Sequence, residues 1–395
     1  MKTTYLLLCL LGIGSVSGAG QTKQPQKIGD FIESTSYNEH RRNATRSLQY
    51  TPDGDDFVCI NGKNRFTRAL YGSHTAFRLE TSDRPVFAAY TKENPKHICF
   101  KLQTSGGTVA LDSTEHCESR YTAGRRSYSL SDPAFGGGSL SITTWALPDK
   151  EGAIWQFNAR NFKEFHPVLL ASISEIRNSK LNRNGDMGAD PADSFEAPLQ
   201  PQQLQSFPVQ IDGTLYILLE NQELRTLTTA EGENLFKKAE AARSETASRI
   251  RIETPDPYFN TLGGTLAMAA DGIWDGEVWL HDAIGWRMPL SGWRAAYTGD
   301  VLGWHDRART HFNAYAASQV TEVPNTFPHP AQDSALHLAR SVKKWGTPQY
   351  SNGYICRNPH RNNQMHHYDM NLCYIDELLW HFKWTGDLDC LLYTS

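Results

Sequence analysis

Two stretches of the chain repeat one pattern. WLHDAIGWRMPLSGWRAAYTGD, residues 279–300, and HHYDMNLCYIDELLWHFKWTGD, residues 366–387, both end in aromatic-Thr-Gly-Asp. Each has an aspartate sixteen residues before its threonine, Asp282 before Thr298 and Asp369 before Thr385, and the copies lie 87 residues apart. In the second copy Leu372, Ile375, Leu379 and Phe382 recur at i, i+3, i+7 and i+10, one face of a helix. Gly386 stands where a left-handed residue would close that helix, and Asp387 where it would cap the next. Gly299 and Asp300 read the same way ahead of VLGWHDRARTHFNAYAASQ. The repeated object is a helical hairpin, which predicts a repeated αα architecture. Pro289 delays or kinks the leading helix of the first copy, where the second has no proline. The two leading helices point the same way, so Asp282 and Asp369 fall at one end of the assembly.

The text before these hairpins has another period. Short β-type runs alternate with turn chemistry: FVCI and NRF across Asn61-Gly62, ICFKLQTS and TVALD across Gly106-Gly107, SLSITTWAL and AIWQFNAR around PDKEG, FPVQI and TLYILLE around Asp212-Gly213. Such strands without intervening helices predict an antiparallel sandwich over 49–229. Residues 182–206, rich in Pro, Gln, Asp and Gly, read as a long loop; Asn182, Asn184 and Asp186 alternate like a calcium loop, but Met187 stands where its glycine belongs. Residues 233–250 hold strong helix formers and no Gly or Pro, which predicts a linker helix within 230–254. Pro255 and Pro257 mark the boundary to a helical region over 255–389.

The two ends read as something other than fold. Lys2, an apolar run over 5–13 and Ser17-Gly18-Ala19 predict a cleaved signal peptide over 1–19, hence a periplasmic or secreted protein, followed by a flexible leader over 20–48. The apolar run is too short to span a bilayer. CLLYTS, residues 390–395, is what TGT-CTC-TTA-TAC-ACA-TCT encodes, a transposon end used in sequencing libraries, so these residues are expected to be an adapter scar on a C-terminally truncated chain. The five cysteines between, Cys59, Cys99, Cys117, Cys356 and Cys373, are odd in number and show no metal spacing, so neither a disulfide framework nor a metal is expected. With a net charge of −4 and no basic block, nucleic acid is excluded as a partner class.

Eight of the ten tryptophans and nine of the fourteen histidines lie within 274–384. A β-sandwich, a linker helix and hairpins with aromatic-Thr-Gly-Asp turns resemble the six-hairpin glycosidases. More narrowly, HDAIGWRMPLSGWRAAYTGDVLGWHDRARTHF and MHHYDMNLCYIDELLWHFKWTGD resemble six-hairpin glycosidase-like proteins of Bacteroidales with an N-terminal β-sandwich. The resemblance covers about 57–389. It implies a multi-domain β-then-α chain: an antiparallel β-sandwich, a linker helix and an incomplete (α/α)6 toroid of two or three hairpins. An incomplete ring leaves apolar helix faces open, which predicts poor solubility.

The resemblance implies an exported glycoside hydrolase acting on a polysaccharide or oligosaccharide, without cofactor. Such chemistry needs two carboxyl groups flanking the bond. The acidic candidates are Glu277, Asp282, Asp369, Asp376 and Glu377. Asp282 and Asp369 are placed at the mouth; the competing reading of each is a helix N-cap. Asp369 stands in a dense polar cluster with His366, His367, Tyr368 and Asn371. Glu277, between Trp274 and Trp279, would gain a raised pKa from tryptophan contact and serve as general acid, against the reading of an exposed loop glutamate. Glu377 lies opposite the apolar stripe, toward an outer surface. His281, Trp279, Trp286 and Arg287 are candidate sugar contacts, Arg287 for a uronate carboxylate, against the reading of a tryptophan core. Two other functions stay open: a polysaccharide lyase using Tyr368, His366 or His367, and a non-catalytic glycan-binding protein.

Overall fold

A computed structural model describes residues 50–63, 68–72, 77–90, 96–162, 166–176, 195, 204–280, 289, 299–319, 332–333, 338–339, 353, 355–356, 358–360 and 368–394. Residues 49–395 form one compact unit. Its first part is β throughout, its second helical. The predicted signal peptide and leader lie outside the described residues, as does all of the 182–206 loop except Phe195 and 204–206.

Fifteen strands, β1 (Thr51–Asp53), β2 (Asp56–Ile60), β3 (Arg68–Tyr71), β4 (Arg78–Thr81), β5 (Val86–Tyr90), β6 (Lys96–Thr104), β7 (Gly107–Ala110), β8 (His116–Thr122), β9 (Arg125–Ser131), β10 (Ser139–Ala146), β11 (Gly152–Arg160), β12 (Val168–Glu175), β13 (Gln205–Pro208), β14 (Thr214–Glu220) and β15 (Glu223–Leu227), build two sheets. One runs β1-β2-β8-β9-β10-β11-β14-β15; the other runs β13-β12-β6-β5-β4-β3 with β7 paired to β6. Burial alternates along β8, β9 and β10, as it must when one face of a strand meets the core. The sheets pack face to face through aromatics: Phe87 of one sheet and Trp155 of the other have ring centroids 5.4 Å apart, and Phe100 lies 5.7 Å from Trp155 and 5.1 Å from Phe157.

The β10–β11 and β6–β7 hairpins fall where the turn residues put them. The Asp212-Gly213 hairpin does not exist. β13 pairs with β12 in one sheet while β14 pairs with β11 in the other, so this turn is a corner between sheets. Its local chemistry is that of a turn, with Asp212 at φ +55 and Gly213 N–H donating to the Gln210 carbonyl. The flanking strands simply find better partners at long range. At Asn61-Gly62, β2 pairs with β1 and β8, and residues 64–66 of the expected second arm lie outside the described residues.

The predicted linker helix is α1, Thr229–Ala247. It starts at a capping box, Thr228 with Glu231, that satisfies two otherwise orphan amides. Rather than a free connector it is a layer on the eight-stranded sheet: Ala239, Leu235 and Phe236 pack with Trp145, Leu147, Ile154, Tyr216 and Leu218. Half-buried Glu240 fixes its register, accepting Trp145 Nε1–H at 2.8 Å and both ends of Arg243 at 2.6 and 2.9 Å.

Then come α2 (Pro257–Asn260), α3 (Leu262–Gly272), α4 (His305–Ala316), α5 (Tyr368–Thr385) and α6 (Leu388–Thr394), with a small hairpin of β16 (Gln332–Asp333) and β17 (Leu338–Ala339). The helices close a second core of Trp274, Trp279, Leu302, Trp304, Phe312, Tyr315, Tyr374 and Leu378. None of the described helices is long and apolar enough to cross a membrane. No disulfide joins the described cysteines.

The α5 helix forms as its period predicts, but its orientation reverses the expectation. Leu372, Ile375 and Leu379 are 68 %, 54 % and 44 % exposed, while Met370, Tyr374, Glu377, Leu378 and His381 are buried. Polar anchors explain the choice: Tyr374 donates to the Phe312 carbonyl at 2.8 Å, and His381 meets two carboxylates. Glu377 therefore faces inward. The outward stripe, with Trp380 and Trp384 beside it, is an open apolar face.

The two turn glycines do different jobs. Gly386 has φ +71 and closes α5 with its N–H on the Phe382 carbonyl, as predicted. Gly299 is not left-handed; a Cβ there would sit 2.2 Å from Trp279 Cη2. Gly386→Ala meets nothing and costs only backbone strain, about 1 kcal/mol. Gly299→Ala must displace a fully buried indole and is expected to cost about 1–3 kcal/mol. Urea midpoints of the two variants check that order.

Candidate functional site

A tight loop after α3 positions the first carboxylate. Trp274 and Trp279 form an antiparallel bridge, and Leu280 N–H donates to the Ile273 carbonyl at 2.8 Å. Between them the Asp275 side chain accepts from the amides of Glu277 at 3.0 Å and Val278 at 2.8 Å, with Gly276 at φ +100 making the bend. Both tryptophans turn inward. Trp279 is fully buried, donates its backbone N–H to His311 Nδ1 at 3.1 Å, and lies with its ring 4.7 Å from that of Trp274. It is core, not a sugar contact, because its ring closes the gap between the loop and α4. Glu277 is left at the tip of the loop, part exposed.

What it meets instead is a histidine 83 residues away: His360 Nε2 lies 2.5 Å from Glu277 Oε2. Asn358 Oδ1 accepts the His360 amide at 3.0 Å. The segment leading there is pinned from two helices. Asn371 of α5 accepts Ile355 N–H at 2.8 Å and donates to the Ile355 carbonyl at 3.2 Å, and Ser318 Oγ, after α4, accepts Cys356 N–H at 3.1 Å. Asn371 thus has both ends of its amide spent on backbone and is a clamp rather than a sugar contact. Asp369 is exposed in the first turn of α5, inside the helix, where a carboxylate favours the helix dipole. His360 thereby meets the 275–279 loop, and Asn371 ties Ile355 to α5. Asp282, His281, Trp286, Arg287, His366 and His367 lie outside the described residues, and Tyr368 is described only in its backbone.

The other end of α5 holds a different cluster. His381 is about twelve residues from Asp369, or about 18 Å along the helix. Its Nδ1 lies 2.9 Å from both carboxylate oxygens of Asp300 and its Nε2 lies 3.3 Å from Asp387 Oδ2. These are the aspartates of the two Thr-Gly-Asp turns. Asp387 caps α6 as predicted, accepting Cys390 N–H at 3.0 Å. Asp300 caps nothing: Gly303 at φ +77 delays α4 to His305, whose N-cap is Trp304 without a side-chain bond. Its carboxylate goes to His381 and to His305 Nδ1 at 2.8 Å. Burial pulls the His381 pKa down, but the bonds from Asp300, Cys390 and Asp387 outweigh it and hold it up at about 10. Arg309 Nε donates to Asp387 at 2.5 Å, and this pairing, with the Cys390 amide and His381, outweighs burial and holds the Asp387 carboxyl low. His381, Asp387 and Cys390 present ligand atoms within 4.8 Å of one another, yet a pKa held up at about 10 favours the protonated imidazole at neutral pH, and Asp387 is bound by Arg309. This end has the character of a structural clamp.

Sequence reasoning missed His360 and His381. The first stands alone in RNPHRNN, where nothing local announces a partner. The second had a signal: a histidine in register with Tyr374 and Leu378 within an apolar helical run.

No curated protein matches the chain. Residues 95–249 match a family described as a domain of unknown function (DUF4450). The match spans β6 through α1 and the two residues that follow it, under half of the chain. The similarity is thus to the greater part of the sandwich together with the helix laid on it.

Proposed function

We propose that this chain is an exported glycoside hydrolase of the six-hairpin glycosidase-like kind, acting on a polysaccharide or oligosaccharide by carboxylate acid/base chemistry. The observation that carries the reading is the Glu277–His360 contact, which joins the tryptophan-flanked acidic loop to the polar segment before α5. Glu277, part exposed, Asp369, exposed, and Asp282 are the candidate carboxylates. His360 lies within hydrogen-bond reach of Glu277 and orients its carboxylate, as a positioned general acid or base needs. His281, Trp286, Arg287, His366, His367 and Tyr368 are the proposed sugar contacts.

The same histidine favours a second reading. An exposed imidazole oriented by a carboxylate is also a base for β-elimination from a uronate. Incubation of the chain with a panel of neutral and uronate-containing polysaccharides separates the two. Release of reducing ends without ultraviolet absorbance is expected. Release with absorbance from a new carbon–carbon double bond would make it a lyase. Binding without release from any member would leave a glycan-binding protein.

A further inference from the structure

A second cleft, remote from that acidic loop in chemistry, lies where the sandwich, α1 and the first helices meet. Its volume is ≈ 190 Å³, and its walls include Tyr71, Arg243, Arg249, Asp271, Trp304 and Arg307. At about 30 Å³ per water that is room for roughly six waters, or one sugar-sized ring.

Its charges do not balance. Arg243 is matched by Glu240, and Arg307 by Asp271 at 2.8 Å. Arg249 has only a loose match: its Nη1 donates to the Leu302 carbonyl at 2.9 Å, and Glu245, which also lines the cleft, pairs with it at 3.9 Å and is 78 % exposed. At that distance and exposure water screens most of the attraction. Arg125 adds a further cation behind the wall, sharing Glu240 with Arg243 at 3.4 Å.

The surplus is also held in place. Arg307 and Arg249 carry their guanidinium carbons 4.2 and 5.1 Å from the centroid of one ring, that of Trp304, which is 7 % exposed. Both cations lie against one indole, and Asp271 offsets only that of Arg307, which leaves Arg249 open to an incoming anion. The arginine fork suits a planar carboxylate or a sulfate. Gly124 fixes the floor: at φ +83, a Cβ there would lie 2.9 Å from Arg243 Cγ and 2.7 Å from Met268 Cε, so the turn holds the arginine stem directly.

The geometry points to this cleft as a binding site for a small organic anion, one carboxylate or sulfate carried on a hydroxylated ring, recognised by Arg249 with Arg307. It acts independently of turnover at Glu277. The test is calorimetric titration of the full chain with D-glucuronate, D-glucose and inorganic sulfate. Saturable binding of glucuronate is expected, with sulfate competing and glucose silent. Arg249→Met is expected to weaken glucuronate binding at least tenfold, since a hydrogen bond to a charged group is worth about one to two decades of affinity. Arg249→Lys, which keeps the charge and loses the fork, falls between, and Glu277→Gln leaves this binding unchanged. The assignment is overturned if neither anion binds, if glucose binds as well as glucuronate, or if Arg249→Met and Arg249→Lys both bind like the wild type. Loss of glucuronate binding in Glu277→Gln would move the anion to the acidic loop and overturn it too.

Discussion

His381→Ala is expected to destabilise the chain by about 3–5 kcal/mol, the usual cost of removing one partner from a buried ion pair. The imidazole is 1 % exposed and stands between Asp300 and Asp387, themselves 4 % and 9 % exposed. Without it Asp387 keeps Arg309, but Asp300 keeps only the half-exposed His305 and becomes a buried charge with too little to offset it. Urea denaturation at neutral pH reads the effect as a lowered midpoint. The clamp also has a pH signature. Its folded pKa, about 10, lies above the ordinary histidine value of 6.5, so the folded state holds the proton more tightly than the unfolded one. The stabilisation is complete below about pH 6.5 and is lost as pH rises toward 10. Wild-type stability should fall across that window, and His381→Asn should flatten the slope. Equal midpoints for wild type and His381→Ala would show that the two turns are held together by something else.

Glu277→Gln is expected to lower turnover by roughly 10²–10⁴, the usual share of a positioned acid or base. The fold should not notice: an exposed pair such as Glu277 with His360 is worth about 0–1 kcal/mol. His360→Ala should give a smaller loss with an altered pH profile, because it acts through Glu277. Asp369→Asn should match Glu277→Gln if the two carboxylates flank the same bond. Unchanged activity at unchanged stability would return both to the role of exposed surface acids, and a stability loss in place of an activity loss would make them structural.

The parts of this molecule that were legible in the sequence are those fixed by neighbours along the chain. PDKEG and Gly106-Gly107 turn their strands back because nearby residues pair; Gly386 closes α5 because only the local backbone is involved. Where partners are distant, reading along the chain failed. Asp212-Gly213 has hairpin chemistry, but its strands pair into different sheets. The apolar stripe of α5 is periodic, yet Tyr374 and His381 decide which face turns inward. Trp279 and Asn371 were reasonable sugar contacts by type; contacts with His311 and Ile355, across the fold, make them structural. The repeated aspartates show both cases at once. Asp387 caps the next helix, a local task, whereas Asp300 reaches a histidine 81 residues on.

The most direct test of the hydrolytic reading is mass spectrometry of products formed in oxygen-18 water, from whichever polysaccharide the chain degrades, with wild type and Glu277→Gln side by side. Products carrying one oxygen-18 at the new reducing end, formed by the wild type and lost with Glu277→Gln, are the expected result. Unlabelled, unsaturated products, or labelled products made equally well without the Glu277 carboxylate, would contradict it.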